Sequence, residues 1–151
     1  MRSMDDAPSH FKLIQYLGYG GLIPFYGCAF LVYWLNQSEF WVYAIHVYAS
    51  LILSFLGAIS WGFALSTNDM SNSQRAVLLC WGVTPAVLGW ICLLLPQVAR
   101  VGPLLMLFVL TLAVDTYFYR RLSLPGFWVK MRVKLTFGAI LALIIVELNN
   151  Y

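Results

Sequence analysis

Long stretches without charge divide this sequence more sharply than any other feature. No Asp, Glu, Lys or Arg occurs over residues 13–38, 40–68 or 76–99, which are 26, 29 and 24 residues long. An α-helix that crosses the hydrocarbon core of a bilayer needs about 20 mostly apolar residues. Each of these stretches is therefore long enough to form one membrane-spanning helix.

Two further stretches are nearly free of charge, since residues 101–119 contain only Asp115 and residues 135–151 contain only Glu147. Runs such as 104–110, Leu-Leu-Met-Leu-Phe-Val-Leu, do not alternate polar and apolar side chains as a transmembrane strand does. Backbone groups in lipid must then be bonded within each segment, which predicts helices. We predict an all-α polytopic membrane protein, a single integral membrane domain (1–151) that forms a compact bundle of five transmembrane helices, with spans near 13–35, 41–66, 76–96, 101–119 and 133–149.

The composition excludes two other classes of chain. Apolar and aromatic residues make up 62% of the sequence and charged residues make up 10%. Soluble domains hold about 45–50% apolar and about 25% charged residues. A soluble fold of this composition could not cover its surface with polar groups, and a disordered chain would be far less apolar.

The distribution of Lys and Arg predicts the orientation in the membrane. With five spans, the N-terminus and the second and fourth loops share one side. That side holds eight of the nine basic residues, namely Arg2, Lys12, Arg75, Arg120, Arg121, Lys130, Arg132 and Lys134, and the other side holds Arg100. The positive-inside rule then predicts a cytoplasmic N-terminus and an external C-terminus if the chain lies in the inner (plasma) membrane of a bacterium, and in a mitochondrion the positive side would be the matrix.

Basic residues concentrate around the fourth loop, where Arg120, Arg121, Lys130 and Lys134 are candidates for contact with anionic lipid head groups. The positive-inside rule explains the same residues without any ligand. The sequence leaves both interpretations open.

The second helix carries small and hydroxyl side chains on one face. At helical spacing this face holds His46, Ser50, Ser54, Gly57, Ser60 and Trp61. Small residues let helix backbones approach closely in lipid, and hydroxyls can bond across the contact. The face is predicted to be a helix-packing surface, and the alternative is a polar groove in which His46 is the ionisable member.

Ionisable residues inside the predicted spans are candidate functional residues. Asp115 lies near the inner interface, and its predicted partner is a cation at the same depth, Arg132 first and Arg75 second. His46 and Glu147 lie near the outer interface and are predicted to pair with each other. Either contact can be a structural ion pair or a proton or ligand site.

Motifs that would indicate catalysis or a bound metal are missing from the sequence. Cys28, Cys80 and Cys92 show no CxxC spacing, and there is no HExxH, no GxSxG and no phosphate-binding glycine loop. Pro24 and Pro85 fall inside the first and third predicted helices and are expected to free backbone carbonyls there. We expect no enzyme activity, no metal and no cofactor.

Several segments resemble one family of five-span membrane proteins of unknown function, which includes bacterial proteins and the mitochondrial transmembrane protein 69-like proteins. The segments are 20–25 (GGLIPF), 48–57 (YASLILSFLG), 61–62 (WG), 82–85 (GVTP), Arg132 and 135–136 (LT), and the likeness covers about 11–147. The resemblance implies an inner or plasma membrane location. It implies no established activity.

These observations favour a non-enzymatic accessory or assembly subunit of an energy-converting inner-membrane complex. The chain is small, its connections are short, and the family it resembles has mitochondrial members. One alternative is a small carrier or proton-conducting unit that uses His46, Asp115 and Glu147. Another is a lipid- or quinone-binding protein. The expected partners are membrane lipids and other membrane protein subunits. We expect no nucleic acid partner.

Overall fold

The computed structural model describes residues 9–35, 39–68, 70–121 and 126–149, with side chains from residue 12 onward and as far as residue 118 in the fifth helix. Within these ranges the chain forms six α-helices and no strand. The helices are α1 (Ser9–Gly20), α2 (Ile23–Trp34), α3 (Glu39–Ser66), α4 (Asn72–Leu94), α5 (Gln97–Arg121) and α6 (Gly126–Leu148). The predicted all-α fold is confirmed.

The first predicted span is a broken helix and not a continuous one. The chain turns at Gly21 and Leu22, between α1 and α2. The Gly21 N–H donates to the carbonyl oxygens of Leu17 and Gly18 at 3.2 and 3.1 Å, which closes α1. Pro24 lies in the first turn of α2, where a proline is tolerated because its missing N–H would have no intrahelical acceptor there. Pro24 therefore begins a helix where the sequence analysis placed it inside one.

The long helix α3 lies at the centre of the fold and contacts α2, α4, α5 and α6. Val42, Ile45, Ala49 and Leu53 are completely buried along it. Their spacing of three and four residues places them on one side of the helix. α3 therefore supplies the core against which the other helices are arranged.

The turn between α3 and α4 is fixed by hydrogen bonds. Ser71 and Gln74 form a capping box at the start of α4, which satisfies N–H groups that have no intrahelical acceptor. The Arg75 guanidinium donates to the carbonyl oxygen of Thr67 at 3.1 Å, just beyond the end of α3. Farther along, α4 and α5 continue through Pro85 and Pro103.

Four helical segments of the described chain are long and apolar enough to cross a membrane, namely Lys12–Trp34, Glu39–Ser66, Asn72–Leu94 and Gln97–Phe118. The chain is a membrane protein. The last helix, α6, has 23 residues, as many as α4, but it carries Lys130, Arg132, Lys134 and Glu147. Its crossing of the membrane stays a prediction. It begins at Gly126 and so includes part of the loop expected before residue 133.

Reporter fusions test the predicted topology. Fusions after Asn36, Asn72, Gln97 and Ser123 are expected to report outside, inside, outside and inside, because basic residues hold the second and fourth loops in the cytoplasm. A fusion after Tyr151 is expected to report outside. The measurement is a paired phosphatase and fluorescent-protein reporter assay. An inside signal after Tyr151 would show that α6 does not cross.

Candidate functional site

A cavity of about 510 Å³ lies between α1, α2, α3, α5 and α6, within the range of about 300–1,000 Å³ typical of small-molecule sites. Its lining is apolar with few exceptions and includes Phe25 and Phe108, whose rings meet edge to face at 6.2 Å. Leu17 of α1 and Phe55 of α3 also line it, yet they are 68% and 62% exposed. The cavity is therefore continuous with the apolar outer surface that the bilayer covers.

The break between α1 and α2 forms one wall of this cavity. Gly18, Gly21 and Leu22 all line it. The Tyr48 hydroxyl donates to the Gly21 carbonyl oxygen at 2.9 Å, and the Tyr26 hydroxyl donates to the Gly138 carbonyl oxygen at 3.2 Å. These bonds tie the broken helix to α3 and α6. The main contact of α1 itself is with α6.

Two polar residues of α6 line the cavity, Arg132 and Thr136. Arg132 is buried and pairs with buried Asp115 of α5, where Nε donates to Oδ2 at 3.1 Å and Nη2 is also in contact with Oδ2. The pair predicted from depth along the helices is thus present in the structure. The second predicted partner, Arg75, instead donates to Thr67, because it lies at the α3–α4 turn.

Thr136 differs from three other helical threonines. Thr84, Thr111 and Thr116 each donate to the carbonyl oxygen four residues earlier, at 3.0, 2.7 and 2.6 Å. Thr136 makes no hydrogen bond to another described residue, although it is buried. Its hydroxyl is therefore available to whatever occupies the cavity, one helical turn from Arg132, the one charged residue among the described lining residues.

The second predicted polar contact lies at the other end of α6. His46 is fully buried, and its Nε2 lies 3.2 Å from Oε1 of Glu147. These two atoms are not aligned for a hydrogen bond, and neither ring nitrogen of His46 has a hydrogen-bond partner among the described residues. Arg100 lies at the same end, with its guanidinium carbon 5.2 Å from the centre of the Tyr43 ring. The contact joins α3 to α6, far from the cavity.

The predicted packing face of α3 lies against α4 over most of its length. Ser50 donates to the Gly89 carbonyl oxygen at 3.0 Å, and the Trp61 indole N–H donates to the Leu79 carbonyl oxygen at 2.8 Å. At the crossing point, a Cβ on Gly57 would overlap the carbonyl oxygen of Gly82.

Three other members of that face make different contacts. Ser54 donates to the Ser50 carbonyl oxygen of its own helix at 3.0 Å. Ser60 is buried, and His46 meets α6 instead of α4. The face therefore holds helices together over its length and forms no open polar groove at the residues described.

The basic candidates for lipid head groups do not belong to the cavity. Lys130 and Lys134 are exposed, and helical periodicity places them on the opposite side of α6 from Arg132 and Thr136. The side chains of Arg120 and Arg121 lie outside the described part of the chain. Contact of these residues with anionic head groups stays a prediction.

Sequence reasoning missed the cavity itself, because its lining consists of apolar residues that no motif distinguishes from core. Two signals were available. Arg132 and Thr136 are four residues apart and so lie on one face of a predicted membrane helix. The glycines before Pro24 were the second signal, since they mark the broken helix that forms the wall.

Comparison with known proteins places these features in a family. The family model described as "Protein of unknown function (DUF3429)" matches residues 11–148. Transmembrane protein 69 of Xenopus tropicalis is 29% identical over 148 residues, which cover 95% of this chain and 56% of that protein. The chain thus spans about half the length of this curated relative. No solved structure matches the chain.

Proposed function

This chain belongs to the DUF3429 family of unknown function, and we propose that it is a non-enzymatic membrane protein that binds the apolar chain of a lipid-like molecule. The observation that carries the proposal is the cavity of about 510 Å³ whose mouth lies among lipid-facing side chains. An apolar chain can pass from the bilayer into such a cavity without crossing water. Its insertion costs no desolvation of charge.

The shape of the fold supports this binding role. The turn at Gly21 and Leu22 separates α1 from α2, and the side chains of Ile14 and Leu17 on α1 form part of the wall. The turn residues Gly21 and Leu22 line the cavity as well, and the hydrogen bond from Tyr48 to Gly21 ties this segment to α3.

Narrowing the mouth of the cavity is expected to reduce the amount of lipid that co-purifies with the protein. Leu17→Trp adds bulk at an exposed lining position, and overpacking of about 1–3 kcal/mol corresponds to about fivefold weaker binding or more. The protein is purified in mild detergent, and co-purified apolar molecules are quantified by mass spectrometry relative to protein.

Leu13→Trp is the matched control for this experiment. Leu13 lies one turn earlier on α1, is 57% exposed and does not line the cavity, so its substitution is expected to leave the retained lipid unchanged. Equal retention in wild type and both variants would contradict the proposal.

The accessory-subunit role rests on the size of the chain and its family, and it stays a proposal beside lipid binding. The same purification tests it, because a partner protein at constant stoichiometry would support an accessory subunit. The carrier role of His46, Asp115 and Glu147 also stays a proposal. Asp115 is already paired with Arg132, and His46 and Glu147 lie at the far end of α6.

A further inference from the structure

Resting on the proposed lipid-binding function, we infer that the cavity selects an uncharged amphiphile whose carbonyl oxygen accepts hydrogen bonds from Thr136 and Arg132. The inference concerns the head group of the ligand, whereas the proposed function concerns only its apolar chain.

The charge of the cavity wall favours an uncharged ligand. Among the described lining residues, Arg132 is the one with a formal charge. Its buried partner Asp115 carries the opposite charge, so the wall is neutral as a whole. An anionic head group would enter a low-dielectric site without an unpaired cation, which costs several kcal/mol. The exposed cations Lys130 and Lys134 lie on the other side of α6 and do not compensate that cost.

The cavity wall also carries hydrogen-bond donors that could bind an acceptor oxygen of the ligand. A guanidinium group has five N–H donors, and Arg132 uses Nε and Nη2 for Asp115. Its Nη1 makes no hydrogen bond to another described residue. The Thr136 hydroxyl, one turn along the same face, is also without a bond among these residues. Arg132 and Thr136 thus offer donors one helical turn apart in a largely apolar cavity, which suits a neutral acceptor oxygen.

Two sources share this chemistry, the ester carbonyl of an acylglycerol and the ring carbonyl of a prenylated quinone. Each has a long apolar chain that fills the cavity and an uncharged carbonyl that reaches the donors. A free fatty acid lacks this combination because its carboxylate is negatively charged, and a phospholipid carries a charged phosphate next to its uncharged ester carbonyls.

Photo-labelling competition tests the inference on the full chain in nanodiscs. The labelling probe is a long-chain methyl ester that carries a diazirine, and labelled α1 and α6 peptides are quantified by mass spectrometry. The competitors have the same chain and end in a methyl ester, a sulfonate or a plain hydrocarbon terminus. We expect the ester to compete about tenfold better than the sulfonate.

Variants at Thr136 identify the donor. Thr136→Val removes the hydroxyl at nearly constant volume and is expected to weaken competition by the ester about twofold to tenfold, with no effect on the hydrocarbon. Thr136→Ser keeps the hydroxyl and is expected to restore wild-type competition. Thr111→Val is the control, because Thr111 bonds to Leu107 and does not line the cavity.

The outcomes separate the two proposals. Failure of every competitor to reduce labelling in the cavity would overturn the proposed function and this inference together. A different result would overturn only this inference. In that result the hydrocarbon competes, the sulfonate competes as well as the ester or better, and Thr136→Val has no effect. A monoacylglycerol and a decyl-chain quinone are tested as competitors in separate experiments. The competitor that binds more tightly identifies the source of the carbonyl.

Discussion

Replacing Asp115 with Asn is expected to lower the free energy of unfolding by about 3–5 kcal/mol, because it leaves the buried Arg132 charge uncompensated. Both side chains are almost completely buried, with 3% and 4% of their surface exposed. Arg132→Gln is expected to have a similar cost, since it strands the Asp115 carboxylate in the same way. The measurement is unfolding of the purified protein in mixed micelles of mild detergent and SDS.

The double variant distinguishes a pair from two independent residues. Asp115→Asn combined with Arg132→Gln is expected to cost clearly less than the sum of the single variants, because neither buried charge then remains. Arg75→Gln serves as the control, since Arg75 bonds to the Thr67 carbonyl and not to Asp115. Strictly additive losses for Asp115 and Arg132 would refute the coupling.

The second large effect is expected at the crossing of α3 and α4. Gly57→Ala would place a Cβ against the carbonyl oxygen of Gly82, which is backbone and cannot rotate away. The helices must then separate along a contact that also holds the Ser50–Gly89 and Trp61–Leu79 hydrogen bonds. We expect a loss of about 1–3 kcal/mol or more in the same unfolding assay.

A glycine on the same helix provides the control for this prediction. Apart from its chain neighbours and the backbone of its own helix, Gly62 has no described atom within 4 Å of the position that a Cβ would occupy. Gly62→Ala should therefore be neutral or stabilising by up to about 1 kcal/mol, because alanine favours helix over glycine. If Gly57→Ala and Gly62→Ala unfold alike, close approach of the two backbones is not what holds α3 to α4.

Charge and hydropathy predicted the helical content and the membrane class, because a membrane span needs a long apolar helix. The family resemblance drawn from short segments such as 48–57 is confirmed by the match over residues 11–148. Depth along the helices predicted that Asp115 pairs with Arg132 and that His46 pairs with Glu147, and the structure has both contacts.

Other features depend on three-dimensional packing and could not be predicted in that way. The choice between Arg132 and Arg75 is decided by the position of Arg75 at the α3–α4 turn. The cavity lies between side chains of five helices, and which residues of those helices face one another depends on how the helices pack. A residue such as Phe55 has the same hydropathy whether it faces a cavity or lipid alone.

The two polar contacts of α6 have a consequence for the way in which the protein enters the membrane. A charged residue at the centre of an isolated helix raises the free energy of insertion by about 2.5–3.5 kcal/mol. Arg132 and Glu147 find their partners on α5 and α3, which are synthesised earlier. In the predicted five-span topology, α6 is therefore expected to insert stably only after those helices are in place, so that the first five helices form a template that the last one completes.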